Sequence, residues 1–296
     1  MSPPTARSLI LDLLSTLRRG SMPVAALVQA GALFDLAEGG IRVALTRLVA
    51  DGRVERDERG CYRLGAAAAP VQARVAGWRA LDRRTRAWSG RWLGVAAPDA
   101  SARRGAGRDA ARALRLLGFA SLAPGLRVRP DNLRGGVAGV RDALRDLGLP
   151  AAIPVFALSG LDDDTDARAR DLWDGDALSE AYSAARRELA ASAARLPGLP
   201  AERAMTESFR LGGRVLQQLL LDPLLPAPLV DEAARAALLD AMRDYDRLGR
   251  EAWAGFLGRL GVPHRAAPAD TRWSQAPEGR AQRGAAERSR SGLAAA

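Results

Sequence analysis

Residues Asp35–Leu64 read DLAEGGIRVALTRLVADGRVERDERGCYRL, and the rest of the chain is organised around them. Apolar residues fall at Ile41, Ala44, Leu45, Leu48 and Val49, the spacing of one buried helix face. The opposite face carries Arg42, Val43, Thr46 and Arg47. Gly52 ends the helix as a residue that takes positive φ without strain. Val54–Asp57 and Cys61–Leu64 then form two short strands across the turn-forming Glu58-Arg59-Gly60. A helix followed by a small hairpin is the layout of a winged helix-turn-helix, whose helix enters the major groove while the wing follows the DNA backbone. This layout makes Arg42, Val43, Thr46 and Arg47 the candidates for base contact. Arg53, Arg56 and Arg59 on the wing are the candidates for phosphate contact.

A solvated structural helix gives the same periodicity, so the reading needs support from outside the stretch. Upstream, Ser8–Leu17 and Pro23–Ala32 supply the two preceding helices, with Ile10, Leu11, Leu14 and Leu17 inward in the first and Val24, Leu27 and Val28 in the second. Pro23 fits the first turn of that second helix. Gly39-Gly40 costs about 1 kcal/mol per residue against Ala near the start of the third helix. Local tolerance at a helix end explains the pair; the sharper alternative is close approach of backbone to a phosphate.

Composition points the same way. The 296 residues carry a formal charge of +10, and every basic side chain is arginine. The abundance of Ala, Gly and Leu suggests a GC-rich coding sequence, so part of the arginine content reflects codon usage. A basic balance still favours a polyanionic partner. One cysteine, Cys61, excludes a disulfide within the chain, and with His264 as the only histidine a Cys/His zinc site or a Ser–His–Asp centre is not expected. No apolar run approaches a membrane span, so a cytoplasmic protein without membrane partner or cofactor is expected.

Downstream, Ala66–Ala69 and Pro70 read as a linker, and Val71–Arg86 as a helix packed through Trp78 and Leu81. Strands are expected at Trp88–Ala96, Phe119–Leu122, Leu126–Arg129 and Ile153–Leu158, with helices at Arg108–Leu117 and Val137–Leu147. The order β-α-β-β-α-β is ferredoxin-like. Asp162, Asp164 and Asp166 have the opening spacing of a calcium loop, but Ala167 and Trp173 stand where its glycine and closing glutamate belong, so that reading is rejected. Asp176 is placed to cap a helix, a second helix follows over about Ala201–Leu221, and a third lies within Val230–Leu260. The expected architecture is α+β: a winged helix domain at 1–66, a linker helix at 67–87, a ferredoxin-like domain at 88–160, a helical domain at 161–262 and a disordered basic tail at 263–296.

Four stretches, in order, carry a family resemblance. They are RVALTRLVADGRVERDERGCYRL within the opening stretch, WSGRWLGVA at Trp88–Ala96, LRLLGFASLAPGLRVRPDNL at Leu114–Leu133 and DPLLP at Asp222–Pro226. Over roughly residues 8–260 the chain resembles PaaX-type regulators, the repressors of phenylacetate degradation. The resemblance implies a homodimeric repressor of an aromatic-acid catabolic operon, bound to double-stranded operator DNA and released by an acyl-CoA effector such as phenylacetyl-CoA. Arg103, Arg104, Arg108, Arg127 and Arg129 are the central candidates for holding its phosphates, and Trp88, Trp92 and Phe119 for its acyl group. Members of that family commonly carry a Trp-Pro-Gly stretch and a basic, His-containing helix around DPLLP. Here LGGRVLQQLLL precedes it and LVDEAARAAL follows, which puts the identity of the effector in doubt. Two other classes share the pattern: a metal-dependent nuclease using the ferredoxin-like domain, and a winged-helix scaffold that binds protein.

Overall fold

The computed structural model describes residues 4–16, 21–57, 60–96, 106–149 and 153–262. Its N-terminal part contains α1 (Ala6–Thr16), β1 (Met22–Pro23), α2 (Val24–Ala32), α3 (Glu38–Ala50), β2 (Val54–Arg56) and β3 (Cys61–Leu64). The three helices bury Leu9, Ile10, Leu14, Leu27, Ile41, Leu45 and Leu48 against one another. Gly31 lets α2 and α3 come together, because a Cβ there would lie 2.8 Å from Ile41 Cγ1. The chain turns between them through Asp35, at φ 61°. The hairpin has an unexpected third strand: β1 pairs antiparallel with β3, Met22 opposite Tyr62, giving the order β1-β3-β2. Pro23 accordingly stands at the cap of α2, in extended backbone, and not in its first turn.

The linker is α4 (Ala69–Ala76) followed by a 3₁₀ segment, Gly77–Arg84, where one α-helix was expected. The segment kinks at Ala80, which has φ −115° and ψ 22°, and Trp78 and Leu81 on either side of the kink both enter the core. The central part comprises β4 (Trp92–Ala96), α5 (Ala106–Leu116), β5 (Ala120–Ala123), β6 (Leu126–Pro130), α6 (Gly136–Asp146) and β7 (Val155–Leu158). Its sheet has the order β5-β6-β4-β7 with antiparallel neighbours, the arrangement of a ferredoxin-like fold. Strand alternation sends Leu93 and Val95 to the face covered by α5 and α6, and Trp92 to the other.

The C-terminal part is helical: α7 (Asp163–Arg170), α8 (Gly175–Arg195), α9 (Ala201–Leu220) and α10 (Glu232–Arg259). The acidic run is thus a helix. Asp162 caps α7 by accepting the Thr165 N–H at 2.8 Å, acids fill the first turn, and Arg168 and Arg170 the last, matching the helix dipole. Asp174, not Asp176, caps α8, accepting the Ala177 N–H at 2.8 Å. Helix α10 runs unbroken for 28 residues. Its first half packs on the central core through Leu238, Leu239 and Met242, and its last turns pack on the N-terminal core through Trp253 and Leu257. The tail from 263, with His264, lies outside the described residues. Among those described, no helix is long and apolar enough to cross a membrane.

Candidate nucleic-acid interface

Helix α3 presents a polar face away from its core. Ile41, Leu45 and Leu48 are buried, while Arg42, Val43, Thr46 and Arg47 are exposed side by side. Val43, a large apolar side chain, is 52% exposed. Val49 does not belong to the buried stripe; it is 40% exposed, at the stripe's edge beyond the last packed residue. Arg42 pairs with Glu38, one turn earlier, at 2.7 Å, with both side chains largely in solvent. Such a pair contributes about 0.3–0.5 kcal/mol, so a guanine edge or a phosphate can displace it. The Thr46 hydroxyl donates to the Arg42 carbonyl at 3.1 Å. Gly39 and Gly40 are exposed at the helix start, and an added Cβ at either meets nothing within 4 Å. Neither has positive φ, so nothing inside the protein requires glycine there.

The wing lies next in the chain. Arg56 is exposed at the end of β2, and Arg53 is half-buried just before it. Arg63 on β3, overlooked in the sequence reading, is exposed and opposite Glu55, to which it donates from both Nε, at 3.1 Å, and Nη2, at 3.0 Å. Its place in a period-two strand with one exposed face was the available signal. Arg59 lies outside the described residues. Asp57 fixes the turn by accepting the Cys61 N–H at 2.8 Å. Cys61 itself is a half-buried, free thiol on the strand.

Of the residues expected to hold the effector's phosphates, only Arg127 and Arg129 have described side chains. Arg103 and Arg104 lie outside the described residues; Arg108 is on α5, but its side chain also lies outside them. Arg127 is half-buried on β6. Arg129, two residues on, is 1% exposed, so it is a structural residue and not the phosphate donor expected of it. Its guanidinium donates to the Leu117 carbonyl, to Asn132 Oδ1 at 2.9 Å and to the Pro130 carbonyl at 3.2 Å. Burial pushes its pKa down to about 9, assisted by Arg84 and opposed by Asp131 and Asp222. Trp92 and Phe119 sit in different clusters; the Trp92 indole N–H donates to Asp166 at 2.8 Å, and Trp88 packs on its edge.

Asn132, held by Arg129, donates to the Leu224 carbonyl at 2.7 Å, tying the sheet to the DPLLP segment. In that segment Asp222 is buried, with Oδ1 accepting the Leu224 N–H at 2.6 Å and 3.8 Å from Arg235 Nη1. Asp222 Oδ2 and the Tyr182 hydroxyl are buried and interact with each other, the hydroxyl as donor and the carboxylate as acceptor. They remain close enough for the carboxylate to help burial raise the tyrosine pKa, and burial raises that of Asp222. Among the described residues, no group of three or more His, Cys, Asp or Glu is placed to hold a metal ion.

Comparison with known proteins locates the likeness in the same region. Residues 5–68 match the family described as PaaX-like protein. Among solved structures, the uncharacterized protein Rv0674 from Mycobacterium tuberculosis is similar at 27% identity, over 84% of this chain and 98% of that one, with a TM-score of 0.55. No curated protein matches the chain. The N-terminal part therefore resembles the PaaX family, and the three-part fold is shared with a chain of closely corresponding extent.

Proposed function

We propose that this protein is a sequence-specific DNA-binding transcriptional regulator, most simply a repressor. The observation that carries the proposal is the exposed Arg42/Val43/Thr46/Arg47 face of α3, in a region that resembles the PaaX family. Arginine reads guanine O6 and N7 in bidentate fashion, the Thr46 methyl or the Val43 side chain packs on a thymine methyl, and the wing arginines Arg53, Arg56 and Arg63 lie against phosphates. Arg59 joins them in the proposal as the residue at the wing's turn.

The finer parts rest on resemblance: an aromatic-acid operon as target, an acyl-CoA as effector and a homodimer in the cytoplasm. Two-fold symmetric regulators read paired half-sites, which supports the dimer. Sedimentation of the full chain checks it. A fragment lacking the first 80 residues would be unsuitable, since it would strip the cover from Trp253 and Leu257 on α10.

The deciding experiment is to sequence the DNA fragments that the purified chain selects from its own genome, then to titrate the selected site against a scrambled one at several salt concentrations. The proposal expects one enriched motif and a steep salt dependence. Arg56→Ala should lower the slope of log K against log salt by roughly 0.9, the share of one phosphate contact. Equal binding to all fragments would end the regulator reading.

A further inference from the structure

Helix α9 reaches the N-terminal part through Met205 and Phe209, which pack into the core of the first three helices. The next residue, Arg210, is exposed. Its guanidinium carbon lies 5.5 Å from the centre of the Phe34 ring, which is itself buried. A guanidinium over an aromatic face is held by the ring's charge distribution, and its in-plane N–H donors stay available to a partner at its edge. The turn beneath it is fixed, since the Phe34 and Leu36 N–H groups both donate to the Gly31 carbonyl, at 2.9 and 3.1 Å. Phe34 stands four residues before Glu38, where α3 starts. The helical part thus sets a cation beside the N-terminal end of α3.

Other arginines of the helical part are neutralised by neighbours: Arg195 by Glu207, Arg214 by Glu188 and Arg250 by Asp246. Among the described residues, no carboxylate stands at ion-pair distance from Arg210. Asp35, next to Phe34 in the chain, is exposed and makes no such pair with it, and Glu38 is taken by Arg42. A recognition helix puts its N-terminal residues on base edges, so the phosphates at the rim of the groove come close to the turn ahead of it. Arginine binds phosphate through charge-assisted hydrogen bonds. We propose that Arg210 donates to the DNA backbone beside α3, so that the duplex is gripped from the helical part as well as from the N-terminal one. The inference rests on the DNA-binding reading of α3 and adds a contact that neither the α3 face nor the wing supplies. Such a contact positions the protein and carries no sequence information.

The test uses the full chain, its Arg210→Gln and Arg210→Lys variants, and two labelled duplexes, the genomically selected site and a scrambled one. Fluorescence anisotropy at several salt concentrations gives the constants. Arg210→Gln should weaken both duplexes several-fold, by the same factor, and lower the slope of log K against log salt by roughly 0.9. Arg210→Lys keeps the charge and should keep the slope. A side chain that only steadied the turn would behave differently: its loss would weaken the selected site alone and leave the slope where it was. That result, or parent-like binding by Arg210→Gln, overturns the proposal. If the parent chain binds neither duplex, the regulator reading fails and takes this inference with it. A parent that binds, beside an Arg210→Gln variant of equal slope, sinks this inference alone.

Discussion

The ring of Phe34, in the turn that leads into α3, lies 5.1 Å from the ring of Phe209 on α9, tilted by 58°. Phe209 continues to Trp253 at 6.0 Å, and Trp253 to Phe256 at 5.6 Å. Arg210 covers the Phe34 ring at 5.5 Å. The turn that sets the direction of α3 thus rests on the C-terminal helices. A double-mutant cycle with Phe34→Leu and Phe209→Leu, followed by urea unfolding, should give a coupling of about 0.5–1.5 kcal/mol. Additive effects would mean that the N-terminal core does not depend on this contact.

Arg42 and Glu38 make opposite predictions for DNA. If Arg42 reads a base, as proposed, Arg42→Ala should cost about 1–3 kcal/mol on the selected site and clearly less on scrambled duplex. Glu38→Gln frees Arg42 and removes a negative charge from the helix start, so it should strengthen binding to both duplexes. Fluorescence anisotropy with labelled duplexes measures the four constants. Equal losses for Arg42→Ala on the two duplexes would reassign it to a phosphate.

Gly39→Ala and Gly40→Ala separate stability from binding. With open space around each added methyl and no positive φ, each should stabilise the fold by about 0.4–1 kcal/mol. If a phosphate comes up to the start of α3, the same methyl groups stand in its way and DNA affinity falls. A higher melting temperature with unchanged affinity would return these glycines to simple helix-end tolerance.

Arg129→Met removes a buried cation and leaves the Leu117 carbonyl and Asn132 without their donor, beside Asp222. Breaking a buried charged network in this way costs about 3–5 kcal/mol. The urea midpoint should fall accordingly. A change within experimental error would show that the cavity takes up water in place of the guanidinium.

The fold was legible where local pattern decides it. The Ile41/Leu45/Leu48 stripe, the hairpin and the β-α-β-β-α-β order all follow from periodicity and turn residues, and each is present. Val49 stands four residues after Leu45, the spacing of a buried stripe, yet it is 40% exposed at the stripe's edge. Strand β1 was invisible: two residues, Met22 and Pro23, pair with a strand some forty positions away. Helix α7 was missed because its stability comes from a cap and end charges more than from an apolar stripe. The exposed face of α3 could be read as a face. The burial of Arg129 could not, since its environment is assembled from Leu117, Asn132 and the Leu224 segment.

Helix α10 begins beside the DPLLP segment, where Arg235 donates to the Leu225 carbonyl, and ends in the N-terminal core, where Trp253 joins the aromatic chain from Phe34. Twenty-eight residues at 1.5 Å each make it a rod about 42 Å long. The cores at its two ends therefore share one structural member, as two floors share a column, and the packing around Met242 and Tyr245 braces it between them.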